Sequence, residues 1–405
     1  MTSKTLLATV QKHESLSADN VGDEQLRTNL AGERFCYDPK ELSPTFRFFM
    51  GCCEATNPEL IGVVSESAED LIWDRRTALK GLLGMAGVIA VSSSSPSANA
   101  AATKLRLAFC GQLLCVVPYE VTRARGHFAE QGFDIELVYT RGGNAAMQAL
   151  VGGAVEYAGT SFDVALQAFA NGAPIRRFAS TGRLPLFALA VAPKDRDAIK
   201  TVKDLEGRTV GISALGNADH ALLLFLLAQA RADAKKVRFA AIGTNVLEAL
   251  RLGQVDAAMV QEPALSLTVQ AGGRELVNFM EIEQARKYLG GAYEFMGVAV
   301  REKERDQRLP EMKKLAAALQ KGLADTKTIS PDDIVAALPK ALISGGDVEQ
   351  LKQIIVRYRT SLYPDTVTID VEAAERVMKS EEIANVLKPQ QVNLKTLLDT
   401  AVLAS

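Results

Sequence analysis

Residues 151–175 read VGGAVEYAGTSFDVALQAFANGAPI, and the fold class turns on how that stretch is parsed. Val155 to Gly159 is an apolar run of strand length. Thr160 and Ser161 are small and polar, and Phe162 to Ala170 then carries apolar residues at helical spacing. A strand that passes through a polar turn into a helix is the unit from which parallel sheets are built. Working outward, the same unit recurs. Strand-like runs are Leu105 to Phe109, Ile135 to Tyr139, Phe187 to Val191, Thr209 to Ile212, Val237 to Ile242 and Ala257 to Val260. Helical patterns lie between them at Pro118 to Glu130, Asn144 to Val151, His220 to Ala230 and Val246 to Leu252. The expectation is an α/β protein with mostly parallel sheet flanked by helices. After about Arg305 the pattern turns helical, with breaks at Pro331, Gly345-Gly346 and Pro364.

Ligands of such sheets sit beyond the carboxyl ends of the strands, where loops enter helix N-termini. Those loops are rich in small polar residues here. Cys110, Gly111 and Gln112 follow the first strand, and Arg141, Gly142, Gly143 and Asn144 the second. Gly143 lets a ligand approach the backbone, and Asn144 suits a helix N-cap. Thr160 and Ser161 serve equally as cleft hydroxyls or as an N-cap pair. Gly216 and Asn217 form the matching turn further on, and Glu262, just before Pro263, would suit a ligand amine. For an anion, Arg141 or Arg183 would supply charge, Arg141 being better placed beside the glycine turn. Stacking would have to come from Phe109, Tyr119, Phe162, Tyr293 or Phe295, because the single tryptophan, Trp73, lies near the start.

A net charge of −2 and the lack of any polybasic run argue against nucleic acid as a partner. With 48% hydrophobic and 23% charged residues, the chain is able to bury a substantial core. Beyond residue 100 only Cys110 and Cys115 remain, too few for a disulfide scaffold. Their spacing permits a strained local bridge, although two buried thiols are the simpler reading. No zinc spacing, nucleophile elbow or phosphate loop is present, so neither metal nor cofactor is expected.

Residues 73–100, WDRRTALKGLLGMAGVIAVSSSSPSANA, follow the order of an export signal: Arg75-Arg76 and Lys80, an apolar core from Gly81 to Val91, and Ala98-Asn99-Ala100 for cleavage. Eleven apolar residues rise roughly 16 Å as a helix, about half of a hydrocarbon core. The segment resembles a twin-arginine leader, although Asp74 and Ala78 replace the usual residues around the arginines. Residues 1–73 are an extension of unknown role, either removed with the leader 74–100 or preceding a later true start.

Four later segments, in order, resemble solute-binding proteins of ABC importers in the nitrate, sulfonate, taurine and thiamine-pyrimidine branch, the SsuA/THI5-like or NMT1-like family. They are RARGHFAEQGFDIEL (123–137), the opening stretch (151–175), VKDLEGRTVGI (202–212) with His220 following, and ALRLGQVDAAMVQEPALSLTVQAGG (249–273). Gln261 stands where that family often has tryptophan. The resemblance implies a two-lobed periplasmic binding protein type II fold, with a helical C-terminal segment. Lobe one would comprise 101–188 plus 292–405, and lobe two 189–291. It implies a monomer in the periplasm that captures a small polar solute and delivers it to an ABC permease and its ATPase. An enzyme like the thiamine-pyrimidine synthases shares the fold. Its histidine, lysine and cysteine-cluster chemistry has no counterpart here, so no enzyme is expected.

Overall fold

The computed structural model describes residues 102–243, 245–343 and 347–403. The leader, the N-terminal extension and Gly345-Gly346 lie outside them. In chain order the elements are β1 (Thr103–Cys110), α1 (Leu113–Ala124), α2 (His127–Glu130), β2 (Phe133–Thr140), α3 (Gly143–Val151), β3 (Tyr157–Ser161), α4 (Phe162–Ala170) and β4 (Ile175–Ser180). Then come β5 (Ala188–Val191), β6 (Thr209–Ile212), α5 (Ala218–Gln229), β7 (Arg238–Ala241), α6 (Val246–Arg251), β8 (Ala257–Val260), α7 (Ala264–Gln270), β9 (Arg274–Asn278) and α8 (Ile282–Leu289). The chain continues through β10 (Met296–Arg301), α9 (Arg305–Thr328), α10 (Pro331–Ala337), α11 (Lys340–Ile343), α12 (Val348–Leu362), α13 (Val371–Ile383) and α14 (Leu394–Leu397).

Two five-stranded sheets result, ordered β2-β1-β3-β10-β4 and β7-β6-β8-β5-β9. Each has a parallel core, as expected, and each has one antiparallel strand in its fourth place: β10 in the first, β5 in the second. These two are the strands that the chain forms immediately after passing from one sheet to the other. The core strands are buried along most of their length, and helices cover the sheets.

Several boundaries differ from the sequence reading. α1 begins at Leu113, five residues before Pro118, which lies inside the helix. A proline there cannot bond the carbonyl four residues back. That carbonyl, on Leu114, instead accepts the Tyr363 hydroxyl at 2.8 Å. Gly126, at φ 78°, ends the run that was expected to continue to Glu130. β3 sits two residues later than its predicted span, so Thr160 and Ser161 belong to it. Neither β4 nor β9 was anticipated.

The two crossovers, 181–187 and 290–295, run side by side. Thr181 and Gly182 donate backbone N–H groups to Met296 O at 2.7 and 2.9 Å, Phe295 N–H donates to Gly182 O, and Tyr293 N–H to Arg183 O, both at 2.9 Å. A third tie is α12. Tyr358 Oη accepts from Asn278 Nδ2 at 3.0 Å, Ser361 Oγ donates to Met280 O at 2.7 Å, and Arg183 donates to the carbonyls of Ser361 and Thr360. α13 packs on both α4 and α5, so the C-terminal segment touches helices of both sheets.

Candidate functional site

Beyond β1, the Gly111 amide donates to Thr140 O at 2.9 Å and fixes the ends of β1 and β2 together. Gln112 is the N-cap of α1, and its side-chain Oε1 is buried with no partner. Cys110 and Cys115 are free and buried. Beyond β2, Arg141 is exposed and makes no ion pair among the described residues. The N-cap of α3 is Gly142, whereas Asn144 is the second residue of the helix, with no capping bond. The capping role read for Asn144 is therefore corrected: the cap lies two residues earlier. A β-carbon on Gly143 would lie 3.3 Å from Val164 Cγ2, so any larger residue there must push on α4.

Thr160 is fully buried; its hydroxyl donates to Ser161 O at 3.2 Å, and its carbonyl accepts from Arg177 Nη1 at 2.9 Å. Ser161 caps α4, accepting the Val164 N–H at 3.5 Å. Of the two readings offered for this pair, the cap holds for Ser161.

In the second sheet, Gly216 adopts φ 78°, a left-handed conformation suited to glycine. Its N–H donates to His220 Nδ1 at 3.2 Å, which places the ring proton on Nε2, and burial lowers the pKa of that ring. Asn217, the N-cap of α5, donates Nδ2 to Ser213 Oγ at 2.9 Å and leaves a buried Oδ1 without a partner. Asp219 accepts the Ser213 amide at 2.5 Å and its hydroxyl at 2.7 Å; burial pushes this carboxyl upward against those bonds. At the end of β8, Gln261 Oε1 is a third buried carboxamide oxygen with no partner. Glu262 is 4% exposed, and its two oxygens take the Ser266 amide at 3.0 Å and hydroxyl at 2.9 Å, with Tyr358 beside them. It precedes Pro263, the N-cap of α7, and accepts an amide of that helix's first turn; burial raises its pKa.

The loops of the two sheets face each other. A β-carbon on Gly142 would lie 3.5 Å from Asn217 Nδ2, and one on Gly216 would lie 3.7 Å from Gln167 Oε1 on α4. Cys110 lies within reach of the Asp219 charge. Gly142 and Asn217, and likewise Gly216 and Gln167, thus approach one another across the two sheets, while Glu262 lies against α12. Arg183, considered for an anion, is committed to the α12 carbonyls. The five rings proposed for stacking are core residues with at most 2% exposure. Phe109 stacks on Tyr119 at 4.7 Å, for example, and Phe295 packs edge-on against Phe187. Tyr139, 42% exposed and packed on Phe109 at 5.1 Å, is the ring the sequence did not single out.

Behind the gap lies a buried charged cluster that sequence reasoning missed. Arg177 donates to Glu294 Oε1 at 3.1 Å and to Phe295 O at 2.8 Å, and the pair is sealed from solvent. Tyr293 Oη donates to Asp163 Oδ1 at 2.8 Å and contacts Ser380 Oγ at 2.8 Å; Glu381 accepts from Gln167 Nε2 at 3.0 Å. Burial raises Asp163, and burial together with the Asp163 charge raises Glu381. Burial carries Glu294 to about 7 despite Arg177. Among the described residues, no group of three or more His, Cys, Asp or Glu side chains is placed to hold a metal ion.

A search of curated proteins gives no match to the sequence. Among solved structures the chain is similar to a protein from Bordetella bronchiseptica RB50, with TM-score 0.67 and 23% identity over 74% of this chain and 95% of that one. It is also similar to the periplasmic aliphatic sulphonate binding protein SsuA from Escherichia coli, with TM-score 0.56 and 21% identity over 72% of this chain and 96% of that one. The periplasmic nitrate-binding protein NrtA from Synechocystis PCC 6803 aligns with TM-score 0.59 and 11% identity over 75% of this chain and 88% of that one. At these identities the likeness is one of fold, the two-sheet periplasmic binding protein architecture. The NMT1/THI5-like family model matches residues 116–332, more than half of the chain, and the chain belongs to that family.

Proposed function

We propose that this chain is the solute-binding component of an ABC importer, closing two lobes over a small polar solute and handing it unchanged to a permease and its ATPase. The lobes are taken as 101–188 plus 292–405 and 189–291. The observation that carries this reading is the gap where Gly142 meets Asn217. Gln112 and Asn217, the N-caps of α1 and α5 in opposite sheets, each hold a buried side-chain oxygen with no partner among the described residues, and Gln261 holds a third at the end of β8. Buried polar atoms are ordinarily satisfied, so these oxygens are available to accept hydrogen bonds from a solute. Side-by-side crossovers supply the hinge, and a solute touching both lobes would favour the closed form by its extra affinity for it. Gly143, Asn144, Thr160, Ser161 and Arg141 complete the first wall, and Glu262 supports the second from behind.

Periplasmic residence, export by the twin-arginine route and a monomeric state belong to the same proposal. Nitrate, sulfonates including taurine, and aminopyrimidines are the solute classes to test. In a thermal-shift screen one class should raise Tm progressively with concentration, as the native state gains RT ln(1 + [L]/Kd) of stability, and should be recovered intact. Chemical turnover of the hit would instead support an enzyme, and no shift from any class would overturn the binding reading.

A further inference from the structure

Resting on the solute-binding reading above, we infer that the solute meets lobe two with an amino or ammonium group, donated to Asn217 Oδ1. Ser213 and Asp219 are the positioning residues that fix this oxygen as an acceptor. Ser213 follows β6, and Asp219 is fully buried in the first turn of α5. Asp219 Oδ2 accepts the Ser213 amide at 2.5 Å, and Oδ1 accepts the Ser213 hydroxyl at 2.7 Å. A carboxylate has no proton to give, so the single hydroxyl proton of Ser213 is committed to it. Ser213 Oγ is then able only to accept. Asn217 lies 2.9 Å from it and must turn Nδ2 that way. The amide nitrogen is thereby served, and the atom left wanting is Oδ1, buried with no partner among the described residues.

The same arrangement disfavours an anion at this wall. A helix N-terminus carries partial positive charge, but in α5 that charge already faces the carboxylate of Asp219. Across the gap, Gln167 of α4 donates Nε2 to Glu381 Oε1 at 3.0 Å and turns its own Oε1 toward Gly216, 3.7 Å from where a β-carbon would stand. Carboxamide oxygens thus come from both sheets. The space beside the two turns is otherwise open. Only Asn217 Nδ2 lies within 4 Å of a β-carbon on Gly142, and only Gln167 Oε1 within 4 Å of one on Gly216, among the described residues. Asn217 and Gln167 are themselves only half-buried, so both border space that a small group can enter.

An N–H group brought to Asn217 satisfies the oxygen. A methyl group of the same size leaves it unpaired, and an anionic oxygen sets two acceptors against each other. A site built around a polar partner rejects the analogue lacking it far more strongly than an apolar pocket rejects one methylene. Amine-bearing solutes are therefore selected over nitrate and plain alkanesulfonates.

Calorimetry on the full chain at neutral pH, with probes matched in size, tests this. The pairs are taurine against propanesulfonate and 4-aminopyrimidine against 4-methylpyrimidine, with nitrate as a plain anion. In whichever pair binds, the amine should bind about tenfold or more tighter than its methyl counterpart. Asp219→Asn gives Ser213 Oγ a donor in place of an acceptor and frees the hydroxyl proton for Asn217. It should cut the preference to about threefold or less, and Ser213→Ala should do the same. A role in folding alone weakens both members equally, so an unchanged ratio in the folded variants overturns the positioning role. Equal binding of the two members, or tighter binding of the methyl member or of nitrate, overturns the inferred donor and leaves the importer reading standing. Binding of none of the five probes overturns both. The wild-type ratio decides even if neither variant folds.

Discussion

Two glycines show how the same residue type serves two ends. Gly297 lies in β10 between Thr160 of β3 and Ser180 of β4, and a β-carbon there would run into Ala179 O and the Arg177 guanidinium. Both obstacles are held by ladder or buried ion pair, so neither moves cheaply. Gly297→Ala should cost about 1–3 kcal/mol, read as a lower denaturant midpoint; an unchanged midpoint would mean the seam is looser than it is drawn. Gly142 is different. Its backbone is extended, a conformation any residue adopts, and the carbon it lacks would point at Asn217 across the gap. Valine there meets no packed core, but its methyls would occupy the space over which the lobes are proposed to close. Gly142→Val should leave Tm without solute nearly unchanged and weaken solute binding by about tenfold or more, roughly 1.4 kcal/mol. Equal affinity by calorimetry would remove this turn from the site.

At the scale of elements, legibility followed burial. β6 and β8 were read at their observed bounds because TVGI and AAMV are short apolar runs, the mark of a strand buried on both faces. β4 escaped because IRRFAS carries two adjacent arginines, and an arginine in sequence reads as surface. Arg177 is wholly buried only because Glu294, a long way along the chain, neutralises it. β9, RELVN, escaped as a charged edge strand. The turns of the gap were visible as Gly-Asn and Gly-Gln pairs, which carry their own conformational signal. Its charged backing was not, since Asp163, Tyr293 and Ser380 meet only after the chain has crossed between sheets twice. The cation in β4 yields an element-scale prediction. Arg177→Met deprives Glu294 of its cation and removes one donor from each of three oxygens. It should destabilise by about 3–5 kcal/mol, while Arg177→Met with Glu294→Gln recovers part of that loss. Chemical denaturation of both variants checks it, and no recovery in the double variant would mean the guanidinium's carbonyl bonds outweigh the ion pair.

At the scale of the whole molecule, the buried acids set how stability varies with pH. Glu294 stands at about 7 against an ordinary 4.5, and Asp163 and Glu381 are also raised, all chiefly by burial. A carboxyl whose folded pKa exceeds its unfolded one holds a proton in the native state that the unfolded chain has already lost. Native protein therefore binds more protons between about pH 4.5 and 7, and stability falls as pH rises through that window. Glu206 and Glu304, lowered to about 2, act only on acidification below about 4.5 and leave the window untouched. His220 opposes the trend, because burial disfavours its charged form and stability is lost as pH falls below its unfolded value near 6.5. One half-buried imidazole stands against these three carboxyls and against Asp219 and Glu262, which burial also raises, so the acids prevail. The protein should melt a few degrees higher at pH 5.5 than at pH 7.5, given that about 1 kcal/mol moves Tm by roughly 2–4 °C in somewhat smaller domains. Glu294→Gln and Asp163→Asn should each flatten the slope, because neither amide titrates. A Tm that climbs with pH across this range, or a slope indifferent to both substitutions, would show that the cluster behind the gap is wetter than its geometry indicates. Two of its members, Tyr293 and Glu294, lie in the returning crossover, so the same protons bear on the segment about which the lobes would turn.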